Sequence, residues 1–308
     1  MKKNLVLKWL CLAVVLLGFN HSVIAECPQT FPTSIDLNRY YETADSLTGN
    51  ELKTALNKII KGHTNLGYRC AWQVLKFTDE DPKKTDNVIG FYTRRSIPKT
   101  HRDYGKNTPD AWNREHIWPK SHGIKTKELA AYSDLHHLRA TDKSVNADRA
   151  SKAFANGGTQ HQECLACRFT PNSWEPPNEV KGDTARIMFY MATRYEGNNG
   201  EPDLKLVDQT NTRGNQFGDL CDLLSWHLAD PVSSEELSRN HQVYRFQGNR
   251  NPFIDRPEFA GRIWGAKCSA SVAATESKDT LLSPWRVLAL IVLLVSVVTL
   301  LKRNKRSN

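Results

Sequence analysis

The residues best suited to chemistry lie between Asn113 and Phe154, in the stretch NREHIWPKSHGIKTKELAAYSDLHHLRATDKSVNADRASKAF. Three groups within it could serve one reaction. The first is Glu115-His116, followed by Ile117-Trp118-Pro119; the second is Asp134-Leu135-His136-His137-Leu138; the third is Asn146-Ala147-Asp148-Arg149. Hydrolysis of a phosphodiester needs a base for water, positive charge where negative charge develops, and cations that hold the phosphate. A neutral imidazole, with an ordinary pKa of about 6.5, suits the first task near neutral pH. Carboxylate and amide oxygens suit a hard divalent ion.

Those side chains need elements that aim them. On an extended backbone, neighbours such as Glu115 and His116 point to opposite faces, so one can meet a metal while the other meets an attacking water. Pro119 lacks a backbone donor and should end regular pairing near Trp118. Asp134-Leu-His-His-Leu reads as a short strand, with Asp134 and His136 on one face. From Asp142 onward a helix is expected, with Asn146 and Arg149 one turn apart. Strand, loop, strand, helix is the organisation these patterns imply.

That arrangement resembles the bacterial endonuclease I family of ββα-metal (His-Me finger) nucleases. The matching runs are Arg114-Glu-His-x-Trp-Pro-Lys-Ser121, then Tyr132-x-Asp-Leu-His-His-Leu-Arg139 continuing through Ser144-Val-Asn-x-Asp-Arg149, and QGNRNPFIDRPE at Gln247–Glu258. The resemblance spans roughly Ser46 to Gly265. It implies an α+β fold, a single mixed domain built around the metal finger. It further implies His116 as general base, Glu115 and Asn146 as ligands to one divalent cation, Arg149 as a phosphate contact, and products with 5′ phosphates. Periplasmic members carry a Gly-Gly-Arg-Lys-Asn-Cys insert whose Arg steadies the transition state; here Ile124–Ala131 stands in its place. They also read Asp-x-His-Asn where this chain has Asp134-Leu-His136-His137. Arg114, Arg139 and Arg149 are the arginines left to bind substrate. The expected cofactor is Mg²⁺, with Ca²⁺ or Mn²⁺ as alternatives.

Taken singly, each residue has a plainer reading. An isolated Glu-His pair is a weak signal, His136 and His137 suit structural roles, and Arg114, Arg139 and Lys120 suit a solvated face. Joint occurrence in the right order is what singles out Glu115, His116 and Asn146.

The termini read as targeting segments. Residues 1–25 join Lys2 and Lys3 to an apolar run and a Val23-Ile24-Ala25 cleavage signal, as in a secretory leader. Residues 26–266 would form the nuclease domain and 267–283 a small-residue linker. Residues 284–302 read as a membrane or sorting helix and 303–308 as a basic cytoplasmic tail. Export to the periplasm or the outside follows, with membrane attachment through the C-terminal helix as an option. The formal net charge is +9, but three cations lie in the leader and five flank the tail, leaving a surplus of one on the body. Net charge therefore makes no case for nucleic acid; only local clusters such as Lys83–Arg102 can.

Six cysteines remain after the leader: Cys27, Cys70, Cys164, Cys167, Cys221 and Cys268. An even number in an exported chain suggests up to three disulfides, with pairing open. Zinc at His161-x-x-Cys164-x-x-Cys167 would lack a second cysteine pair, and a redox CxxC would lack its strand-then-helix setting.

Elsewhere Thr48-Gly-Asn-Glu51 reads as a capping box opening a helix with Leu52, Leu56 and Ile60 inward and Gly62 closing it. Tyr68–Thr78 reads as strand or helix start, and Val88–Tyr92 as a strand. Asn156–Asn178 reads as a long stapled loop. Helices are expected at Asp183–Tyr195, Leu220–Leu228, Ser233–Phe246 and Pro257–Trp264, the first as core. Gln247–Phe253 would either fold toward the site or form a turn with no part in it. The resulting expectation is an exported, monomeric, metal-dependent endonuclease acting on DNA, and on RNA as well, with little sequence preference. A nucleic-acid-binding or uptake factor with a weakened site is the alternative, and a thiol–disulfide enzyme at Cys164/Cys167 a third.

Overall fold

The helix Lys181–Arg194 runs through the middle of the chain's packing, with every residue from Thr184 to Arg194 buried. Ile187, Met188, Phe189 and Met191, with Tyr195 at its end, are its apolar contribution to the core. Its two buried arginines are paired. Arg186 donates two 2.6 Å hydrogen bonds to the Glu236 carboxylate, and Arg194 donates two to Glu201. The protein is described here from a computed structural model, for Cys27, residues 31–105, Thr108 and residues 110–269. The expected leader, apolar tail helix and basic tail lie outside the described residues. Among the described residues no helix is long and apolar enough to cross a membrane.

The mixed helix-and-strand architecture is as expected. Gly49–Ile60 is a helix with Leu52, Leu56 and Ile60 buried, but Thr48 makes no side-chain cap, so the capping box does not form. The box forms instead at Ser233, whose hydroxyl accepts from the Glu236 N–H, opening Ser234–Gln247. That helix ends on Gly248 at φ +85°, where a Cβ would strike the Phe31 ring. Gly67–Thr78 is a helix throughout, resolving the strand-or-helix ambiguity. The strand expected at Val88–Tyr92 lies earlier, at Lys84–Ile89, between Glu80–Asp81 and Ser96–Pro98 in an antiparallel sheet. The expected long loop after Phe154 contributes Thr159–Gln160, Arg168–Phe169 and Ser173–Glu175 to a four-stranded sheet with Ala153–Phe154.

The element that positions the site is an antiparallel pair, Trp112–His116 against Leu138–Asp142, followed by the helix Lys143–Arg149. The second strand starts later than the sequence suggests. Asp134 accepts the His136 N–H on its own side chain, and its carbonyl accepts from His137 and Leu138, so Asp134–His137 is a turn. Beneath the pair, Trp112, Leu138 and Ala140 pack with Val74, Leu75, Val243 and Phe246. Burial of each such aliphatic side chain contributes roughly 1.5–3 kcal/mol.

Candidate active site

The strand Trp112–His116 sends Asn113 and Glu115 toward the helix and His116 to the opposite face, as alternation requires. On the helix side, Asn146 Nδ2 donates to Asn113 Oδ1 at 2.7 Å. Glu115 is buried, and its Oε1 accepts from the Tyr92 hydroxyl at 2.7 Å and from Arg149 Nη1 at 3.1 Å. Burial pushes the Glu115 carboxyl up, while the Arg149 guanidinium and the Tyr92 hydroxyl pull it back.

On the opposite face the His116 ring lies among Tyr68, Tyr132 and His137, with ring centroids 5.3, 4.9 and 5.3 Å away. Its Nε2 is 2.9 Å from the Tyr132 carbonyl oxygen. A carbonyl can only accept, so Nε2 carries the proton and Nδ1 holds the free lone pair. Burial, reinforced by the neighbouring His137, holds the imidazole well below its usual pKa. The ring is therefore neutral at neutral pH, with the Nδ1 lone pair available.

Glu115, His116 and Asn146 line one open cleft of about 570 Å³, together with Tyr68, Trp72, Asn113, Arg114, Lys120 and Lys143. Of the three arginines singled out from sequence, only Arg114 is in it. Its guanidinium sits 3.4 Å from the Tyr68 ring centroid and 4.2 Å from that of Trp72, and donates to the Tyr68 carbonyl. Burial lowers it to about 10, so it stays charged at neutral pH. Arg149 does not fit the expected phosphate contact. It is fully buried and donates to Glu115, to the His116 carbonyl at 3.1 Å and to the Ile117 carbonyl at 2.8 Å. Arg139 also lies elsewhere: it turns over the Phe91 ring toward Asp79 and Asp183, in a separate cleft.

His136 and His137 are structural. Both are buried and donate through Nε2 to main-chain carbonyls, of Asn249 and Ala131. The Gln247–Phe253 run braces the turn before the second strand: Gln247 donates to Asp134 and accepts from the Leu135 N–H. None of it lines the cleft. The cysteines form three disulfides, Cys27–Cys70, Cys164–Cys167 and Cys221–Cys268. His161 accepts the Cys164 N–H on Nδ1 and donates from Nε2 to Asp148 at 3.0 Å, so neither nitrogen is left for zinc. Among the described residues the one cluster of possible metal-ligating His, Cys, Asp or Glu side chains is Asp208 with Cys221 and Cys268, whose sulfurs are already bonded to each other.

Sequence reasoning missed Asn113, Tyr92 and Tyr132. Asn113 was within reach, since it lies two residues before Glu115 and alternation puts both on one face. Tyr92 and the Tyr132 carbonyl have no local signature, because they arrive from other parts of the chain.

Two strands and the helix after them thus bring Glu115, His116 and Asn146 to one open cleft. A model of the endonuclease I family matches residues 48–258. The chain belongs to the endonuclease I family and is a nuclease. Among its relatives, an "Extracellular ribonuclease" of Bacillus amyloliquefaciens is 47% identical over 233 residues, 75% of this chain and 80% of the relative. A protein of the same name from Bacillus subtilis (strain 168) is 47% identical over 231 residues, 74% and 79% of the two chains. An "Extracellular deoxyribonuclease" of Aeromonas hydrophila is 28% identical over 179 residues, 54% of this chain and 72% of the other.

Proposed function

We propose that this protein is an exported, divalent-metal-dependent endonuclease that hydrolyses RNA, and DNA as well, with little sequence preference. The observation that carries the reading is the tautomer of His116. With its Nε2 proton committed to the Tyr132 carbonyl, Nδ1 is left as the ring's base in the cleft that Glu115 and Asn146 also line. Nδ1 takes a proton from the water that attacks phosphorus, and the anchored Nε2–H keeps the ring from rotating as charge builds on it.

The donor set fits a hard cation. Two protein oxygens with no sulfur or imidazole suit Mg²⁺, which keeps several waters, better than Zn²⁺. Bound between Glu115 and Asn146, such an ion would supply positive charge for the oxygens that become negative at phosphorus. Asn113 orients Asn146 toward it, and Arg149 with Tyr92 fixes Glu115. Arg114 and Lys120 offer the cleft's cations to phosphate. Contacts of this kind read phosphate rather than bases, which supports low sequence preference.

RNA stands first because the relatives at 47% identity carry the name ribonuclease, while those named for DNA are more distant. Their names also support export, and the leader pattern at residues 1–25 agrees with it. Digestion of total RNA and supercoiled plasmid by the oxidised protein, with Mg²⁺ and with EDTA, tests the proposal. Metal-dependent loss of RNA at least as fast as of plasmid is expected; cleavage indifferent to EDTA would refute it.

A further inference from the structure

The active cleft does not end at Arg114. A second trough, of about 610 Å³, adjoins it and shares Arg114, Trp72 and Asp103. Its remaining wall brings Arg69, Arg102 and Tyr104 together over the Cys27–Cys70 disulfide. Cations and rings alternate along it. The Arg114 guanidinium lies 4.2 Å from the Trp72 ring centroid, Arg102 lies 5.1 Å from the same ring, and Arg102 lies 4.6 Å from Tyr104. Tyr104 is 61% exposed, with one ring face held by a guanidinium.

The segment is tied to the catalytic hairpin. The Asp103 N–H donates to the Trp112 carbonyl at 2.8 Å, and the Trp112 N–H donates to the His101 carbonyl at 3.0 Å. Trp112 begins the strand that carries Glu115 and His116. The one acid in the trough, Asp103, is already occupied by the Lys143 ammonium at 3.0 Å and the Gly105 N–H at 2.9 Å. The trough therefore faces a ligand with positive charge and aromatic surface.

We propose that this trough is a subsite for an unpaired stretch of the substrate strand. A base stacks on Tyr104, while Arg102 and Arg69 meet phosphates beside the one being cleaved. Interleaved rings and guanidinium groups bind single strands without reading sequence, since every base has a face to stack. A duplex buries those faces, so the trough favours single-stranded RNA or DNA over paired nucleic acid. This inference rests on the nuclease reading and adds to it a strand preference that the catalytic residues do not supply.

The test separates binding from cleavage. Fluorescence anisotropy with labelled octauridylate, and with a fully paired duplex, is measured in EDTA on wild type, Tyr104→Ala, Tyr104→Phe and Arg102→Ala. Hydrolysis of a small chromogenic phosphodiester is followed with Mg²⁺. Tyr104→Ala is expected to weaken octauridylate binding about tenfold, within the range for one stacked base, with Tyr104→Phe retaining it. The duplex and the small substrate should change little. Octauridylate binding by Tyr104→Ala within about twofold of wild type, or an equal loss for the duplex, would overturn the proposal. Should wild type fail to cleave RNA with metal while this binding pattern holds, the hydrolase reading falls and the subsite stands.

Discussion

Replacing Arg149 by Met separates two roles for the same residue. The structure makes it a buried strut: its side chain is inaccessible and it donates to Glu115 Oε1 and to two consecutive carbonyls, His116 and Ile117. Met fills most of that volume but supplies neither charge nor donors. The Glu115 carboxylate would lose its only charged partner and keep the Tyr92 hydroxyl and the His116 backbone N–H, and two buried carbonyls would lose a donor. Removing one member of a buried ion pair costs ~3–5 kcal/mol. At ~2–4 °C per kcal/mol for a domain of this size, Tm should fall by roughly 6–20 °C. The assay is thermal unfolding by circular dichroism on oxidised protein, repeated in a Glu115→Gln background. The Arg149→Met penalty should shrink there, because the carboxylate it leaves stranded is gone. The reasoning is refuted if Tm moves by less than about 2 °C while KM rises and the salt slope of substrate binding falls by about one phosphate contact. That outcome would make Arg149 a phosphate ligand.

Burial holds His136, His137 and His227 at about 4. Their unfolded value is about 6.5, so the unfolded chain takes up protons first as pH falls. The stability from keeping them neutral is full above about pH 6.5 and is lost progressively toward pH 4, at up to ~1.4 kcal/mol per pH unit for each ring. Urea unfolding at pH 7.5 and pH 5 should show a clearly lower midpoint at pH 5; equal midpoints would contradict the buried-imidazole account. Cys27–Cys70 and Cys221–Cys268 close loops of 43 and 47 residues, whereas Cys164–Cys167 spans three. On loop entropy each long bridge contributes about 4 kcal/mol, so paired Cys→Ser changes at either should lower thermal stability far more than at Cys164/Cys167. Comparable losses at all three would refute that ranking.

Much of the site was legible because it is local. Glu115, His116 and Asn146 sit within one strand and the helix after the next, and alternation along an extended backbone is enough to divide the first two between faces. Core helices were legible from apolar spacing, as at Leu52, Leu56 and Ile60. The misreadings came where long-range geometry decides. Arg149 looks like a surface cation one turn from Asn146, but Glu115 and two carbonyls draw it inward. Asp134-Leu-His-His alternates like a strand, yet the Asp134 side chain bonds the His136 N–H and curls the backbone. Thr48 has the capping pattern without the contact, while Ser233 has both. Tyr104 carries no motif; only its approach to Arg102, which also lies over Trp72, gives it meaning.

The central claim is that His116 acts as the base in the cleft it shares with Glu115 and Asn146. The most direct measurement is the single-turnover cleavage rate of a labelled RNA by wild type and His116→Ala with saturating Mg²⁺, alongside calorimetric titration of Mg²⁺ into each. A rate lower by ~10²–10⁴-fold with unchanged metal affinity, measured well below the melting temperature of the variant, is the expected result. A variant that cleaves within about tenfold of wild type would contradict the account and move the base elsewhere in the cleft.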